Sequence, residues 1–138
     1  MISIYQISEA YKRISKYIYK TPIIFSDKLN KVTGSNILIK AENLQKTGSF
    51  KIRGATNMIA QIKGDRVVAP SSGNHAQAVA AACNIFNKSA TLVMPSDAPK
   101  SKILGVKNYN GKIIFYDRNN QDRMEIAKKI SVEEDTVL

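Results

Sequence analysis

After Gly64 the chain settles into a regular alternation of short apolar runs and helical stretches, and that alternation constrains the fold more than any other feature. Residues 66–69, 90–94 and 112–116 read as strands. Residues 74–86, 99–108 and 120–132 read as the helices that follow them, and 136–138 open a further strand. Strands joined through helices pair in parallel, because the crossover returns the chain to the same end of the sheet. The expectation is an α/β unit, a parallel sheet in a three-layer arrangement. The stretch 74–86 is rich in alanine, so its helix can lie close to the strands. In the last helix Met124, Ala127, the stem of Lys128 and Ile130 fall near one side, the expected buried one. Ligands of such sheets sit at the carboxyl ends of the strands, and residues 71–75 lie at one such end.

The first 65 residues are patterned differently. Ile4, Ile7, Tyr11, Ile14 and Ile18 recur at helical spacing, which predicts a helix over 3–17 packed on a core. Thr21-Pro22 ends it, because proline disfavours the helical region for its predecessor. Residues 23–25 read as a short strand. Ser26 or Asp27 can cap a short helix through Val32, which Gly34 closes. Residues 36–42 read as a strand. From Ser49 or Phe50 to about Ile62 the pattern is helical, with Ile52, Ala55, Ile59 and Ile62 on one side.

Two segments carry chemistry. Lys51 sits in Gly48-Ser49-Phe50-Lys51-Ile52-Arg53-Gly54-Ala55, at a helix start behind a glycine-containing turn. A lysine in a first helical turn opposes the helix dipole, so the position is mildly unfavourable for a plain surface charge. Twenty residues on, Ser71-Ser72-Gly73-Asn74-His75 joins a strand to a helix. Successive backbone N–H groups at a helix N-terminus form an anion site. Gly73 is expected to permit a sharp backbone path there. The plainer alternative is that a Ser or Asn of the run caps the following helix. A cap explains one of these residues, not the whole run.

The two segments, in this order and register, resemble the pyridoxal-phosphate enzymes of the tryptophan-synthase-β fold group, fold type II. Glu42-Asn43-Leu44-Gln45, His75-Ala76-Gln77, Val93-Met94-Pro95, Asp97-Ala98-Pro99 and Lys102 point within that group to the threonine/serine dehydratases and serine racemases. The resemblance runs from about Tyr19 to Leu138. It implies that residues 1–65 are part of a large cofactor domain, incomplete here, and that 66–138 are a small α/β domain. It implies pyridoxal 5'-phosphate as cofactor, with Lys51 bonded to its aldehyde and later taking the substrate Cα proton. Phe50 would lie beside the cofactor ring, or pack in the core, or both. Asn74 would hydrogen-bond the ring hydroxyl. Ser71, Ser72, Gly73, Asn74 and His75 would hold the substrate carboxylate. Ser72 would be the second catalytic residue, on the ring face opposite Lys51.

The implied activity is that of a threonine/serine ammonia-lyase, converting a hydroxy amino acid to a 2-oxo acid and ammonia. A serine racemase, or a non-catalytic interaction module on this scaffold, are the alternatives. Family members are more than twice as long and carry a glycine-rich phosphate grip and a pyridine-nitrogen partner further on. The glycines here, at 34, 48, 54, 64, 73, 105 and 111, include no adjacent pair. The expectation is an N-terminal fragment with little turnover alone, whose apolar faces need the missing C-terminal half or a homo-oligomer.

Composition excludes other classes. A length of 138 residues suits one small domain with a core. The net charge of +10 raises nucleic acid as a partner. However, 16 of the 21 basic residues are lysines, and they are scattered. The arginine forks that read bases are few. No run approaches the ~18 apolar residues of a membrane helix, and no signal peptide is visible. A single cysteine, Cys83, excludes an internal disulfide and fits a reducing, cytoplasmic compartment. One His and one Cys are too few for an ordinary zinc site, so no metal is expected.

Overall fold

The computed structural model describes residues 1–138. Its centre is a parallel sheet of β3 (Arg66–Pro70), β4 (Ser89–Pro95) and β5 (Lys112–Tyr116), in that spatial order. Val67 pairs with Ala90, and Leu92 with Ile113. On the far side of β3, Val137 makes a lone parallel bridge to Val67. The terminal strand expected over 136–138 is reduced to that bridge.

Side chains alternate across the sheet as the strand period requires. Val67, Ala69, Leu92 and Met94 join one apolar core with α3 (Lys51–Ile59), α4 (Asn74–Ile85) and α5 (Lys100–Lys107). Val68, Val93 and Tyr116 join a second with Ala127 and Ile130 of α6 (Arg123–Glu133). Helices thus cover both faces, and the three-layer α/β expectation holds. In α4 the run from Ala78 to Cys83 is buried all round, because alanine leaves room for neighbours on every side. Gly105 of α5 meets Gln77 of α4 so closely that an added Cβ would stand 2.7 Å from the Gln77 side chain. α6 begins at Arg123, later than expected, because the Asp122 carboxylate caps the N–H groups of Met124 and Glu125. Met124 and Lys128 are exposed, so the buried side of α6 is narrower than the sequence suggests.

The first half departs more. α1 (Ile4–Ile14) has a full capping box between Ser3 and Gln6. Its apolar stripe is buried only at the C-terminal end, at Ile14 and Ile18, while Ile4 is 84% exposed and Tyr11 50%. The core it was expected to pack on is therefore missing along most of its length. β1 (Ile23–Phe25) and β2 (Leu38–Lys40) form an antiparallel pair whose six residues are all exposed. β2 is shorter than the strand expected over 36–42, because the chain turns into a 3₁₀ helix at Glu42–Leu44. Between them, α2 (Asp27–Thr33) is capped by Ser26 and closed by Gly34 in the left-handed conformation. Gly54, in the middle of α3, borders an open groove of about 570 Å³ against α1, and an added Cβ there would meet nothing within 4 Å.

Candidate active site

The chain reaches α3 through a tight turn, Gly48, whose φ of +68° suits glycine. Thr47 and Ser49 flank it and are buried. Lys51 is the first residue of α3, as the sequence predicts, and is exposed. Its Nζ stands 5.2 Å from the centre of the Phe50 ring. Phe50 is 58% exposed, so the core-packing role considered for it does not hold.

This turn is held by polar contacts that sequence reasoning used only as family markers. Arg53 donates to both oxygens of Glu42, from Nε at 2.8 Å and Nη2 at 2.7 Å. Thr21 donates its hydroxyl to the same carboxylate. The Arg53 bond, reinforced by Thr21, holds Glu42 down to about 2 against the opposing effect of burial. Buried Gln45 ties Tyr19 at both its N–H, at 3.0 Å, and its carbonyl, at 2.8 Å. The start of α3 is thereby clamped to the segment after α1.

The loop 71–75 follows β3 at its carboxyl end, as expected. Ser71 donates its N–H to Val93 O and so continues the sheet edge. Gly73 is the N-cap of α4, with no side-chain cap bond. The alternative in which Ser or Asn caps this helix therefore fails. Gly73 has a φ of −132° and open space where a Cβ would stand, so the turn does not demand glycine. The N–H groups of Ser72, Asn74, His75 and Ala76 donate to no protein atom. Four free donors at the N-terminus of a twelve-residue helix form a cradle for an anion.

α3, which begins with Lys51, packs on α4, which the loop opens. The pKa of His75 is lowered, first by burial and second by the charge of Lys51. Asn74 accepts a hydrogen bond at Oδ1 from Lys102 Nζ, 28 residues on, a contact the sequence did not reveal. The Ser72 hydroxyl bonds to no protein group. Ser71, Ser72 and Gly73 are half-buried and Asn74 is exposed. His75 keeps an open face to solvent while its other side borders an apolar groove, so the burial that lowers its pKa is partial.

These residues fit pyridoxal phosphate on the side of its ring and aldehyde. Lys51 offers an amine, Phe50 a flat apolar surface and Asn74 a free amide N–H pair. The Thr47 and Ser49 hydroxyls beside Lys51 are buried without partners. Polar groups so placed are rarely left unpaired in a complete site. The other groove, about 220 Å³ between α3, α4, β3 and Leu138, is lined mostly by apolar residues and reaches His75.

Comparison with known proteins agrees. The family described as "Pyridoxal-phosphate dependent enzyme" matches residues 14–138. A serine racemase of Schizosaccharomyces pombe is 42% identical over 132 residues, which are 93% of this chain and 41% of that protein. An L-threonine ammonia-lyase of Thermotoga maritima is 44% identical over 134 residues, 94% of this chain and 33% of that protein. The structure of maize serine racemase superposes with a TM-score of 0.93 at 39% identity, covering 99% of this chain and 43% of that one. The chain thus spans less than half the length of these relatives. Matched over nearly all of its own length, it belongs to the pyridoxal-phosphate-dependent enzyme family.

Proposed function

We propose that this chain carries the lysine-bearing part of a threonine/serine ammonia-lyase, which releases ammonia and a 2-oxo acid from a hydroxy amino acid. The observation that carries the reading is an exposed Lys51 at the start of α3, a helix packed on α4, whose first turn and preceding loop hold four unpaired N–H donors. When bound, pyridoxal phosphate supplies an electron sink for the pair left when the substrate loses its Cα proton.

The chain's own residues do the rest. The N–H groups of Ser72, Asn74, His75 and Ala76 hold the substrate carboxylate and so fix which face of Cα meets Lys51. The Lys51 amine takes the Cα proton. The Cβ–O bond then breaks, the hydroxyl leaves with a proton as water, and hydrolysis of the enamine product gives the 2-oxo acid and ammonia. With the cofactor bound, Asn74 would donate to its ring oxygen and Phe50 would lie beside the ring. Residues 1–65 are assigned to a large cofactor domain and 66–138 to a small one, in a cytoplasmic protein.

The test is borohydride trapping with pyridoxal phosphate followed by peptide mapping. Label concentrated on Lys51 supports the reading; label spread over the surface lysines removes it. Serine racemase is the second reading, favoured by one feature. The unbonded Ser72 hydroxyl sits on the carboxylate loop, where it can deliver a proton to the Cα face opposite the lysine. Ser72→Ala in a complemented enzyme distinguishes the two, since only the racemase loses its main product.

A further inference from the structure

We infer that Lys102 is a positioning residue for the cofactor, acting through Asn74 by fixing which end of the Asn74 amide faces the site. This rests on the reading of Asn74 as the partner of the ring hydroxyl. A primary amide has an accepting oxygen and a donating NH₂, and nothing in its shape tells the two apart. An ammonium only donates. The Lys102 Nζ to Asn74 Oδ1 contact therefore commits the oxygen to Lys102. The Nδ2 hydrogens have no protein partner and are left for the site. An ionised ring oxygen accepts, so this is the orientation it needs. Without Lys102 the amide is free to turn and present its oxygen, which would repel it.

The rest of the structure places Lys102 for this contact. Lysine at the third position of α5 opposes that helix's dipole, so it is poorly explained as a solvated charge. The loop before it is fixed, with Ser96 donating to Tyr116 O and Asp97 paired to Arg118 at 2.7 Å. One turn further along both helices, Gly105 and Gln77 meet: an added Cβ on Gly105 would stand 2.7 Å from the end of the flexible Gln77 side chain. Asn74 and Gln77 are three residues apart on α4, as Lys102 and Gly105 are on α5. The two helices thus touch in two successive rungs.

The experiment is a double-mutant cycle on this chain with pyridoxal phosphate in excess, reading the extent of borohydride-trapped label at Lys51 and the visible absorption of bound cofactor. Lys102→Met and Asn74→Ala should each lower labelling about three- to tenfold, the scale of one lost hydrogen bond. The double variant should be no worse than Asn74→Ala alone. Lys102→Arg, which also only donates, should restore most of the signal. The thermal midpoint should move little throughout, since Asn74 is exposed and its bond to the half-buried Lys102 lies at the surface. Undiminished labelling in Lys102→Met, or additive losses in the double variant, would overturn the inference. Absent Lys51 labelling in the unsubstituted chain would instead sink the functional reading itself, and this inference with it.

Discussion

Lys51 is exposed and makes no hydrogen bond or ion pair to protein, so its role should separate cleanly from stability. Lys51→Ala is expected to abolish site-specific borohydride labelling while moving stability by no more than about 0.5 kcal/mol, the usual range for a surface change. The comparison of labelling with a thermal melt checks both halves. His75 offers a second reading of the same neighbourhood. Its folded pKa lies below the ordinary value of 6.5, so between the two the unfolded chain binds more protons. Its contribution to stability is complete above about 6.5 and is lost as pH falls through the folded value. The Lys51→Ala chain should show His75 titrating higher in an NMR pH series, because one of its two causes is gone. An unchanged titration would place Lys51 too far away to share a site. At this scale the sequence was informative where residue type and order are unusual together, as at Lys51 and residues 71–75. It was silent on the partner of Asn74, because Lys102 lies 28 residues away on another helix and meets it only in the folded packing.

Between helices, the two rungs of α4 and α5 bring Gly105 against the end of Gln77. Gly105→Ala should destabilise by about 1 kcal/mol, the low end of overpacking costs, because its methyl must displace a flexible side-chain end. Denaturant unfolding measures it, and a neutral result would mean that Gln77 swings aside. The Glu42–Arg53 clamp makes a prediction in acid. Glu42 has a folded pKa of about 2 against 4.5 ordinarily, so its stabilisation is present above 4.5 and is lost as pH falls toward 2. Glu42→Gln should cost about 2 kcal/mol at neutral pH, as expected for a hydrogen bond to a charged group. It should also remove that part of the acid transition seen by circular dichroism. Elements were legible where a period repeats against a complete core, as in β3, β4 and β5. They were misjudged where the core is absent: the stripe on α1 reads as buried from its spacing, but spacing says nothing about what stands opposite. β2 and α6 were mistaken at their ends, where a 3₁₀ turn and the Asp122 cap decide the boundary.

Taken whole, the molecule has one finished half and one open half. The strands β3 and β4 are buried between helices on both faces, whereas β1, β2 and most of α1 present bare apolar side chains. Residues 1–65 should therefore associate, with each other or with the additional chain the relatives possess. Sedimentation should show concentration-dependent self-association. A separately expressed C-terminal part of a related dehydratase should suppress that association, strengthen cofactor binding and enable release of ammonia from threonine or serine. Lys51→Ala in that mixture should be inactive.

Gly54 turns this openness into something countable. A glycine inside a helix costs about 1 kcal/mol against alanine, and here no neighbour within 4 Å repays it. In the chain alone, Gly54→Ala should raise the melting temperature. In the complemented protein, the same methyl should weaken assembly if a segment seats against that face of α3. One substitution with opposite signs in two assemblies measures how closely the open half is covered.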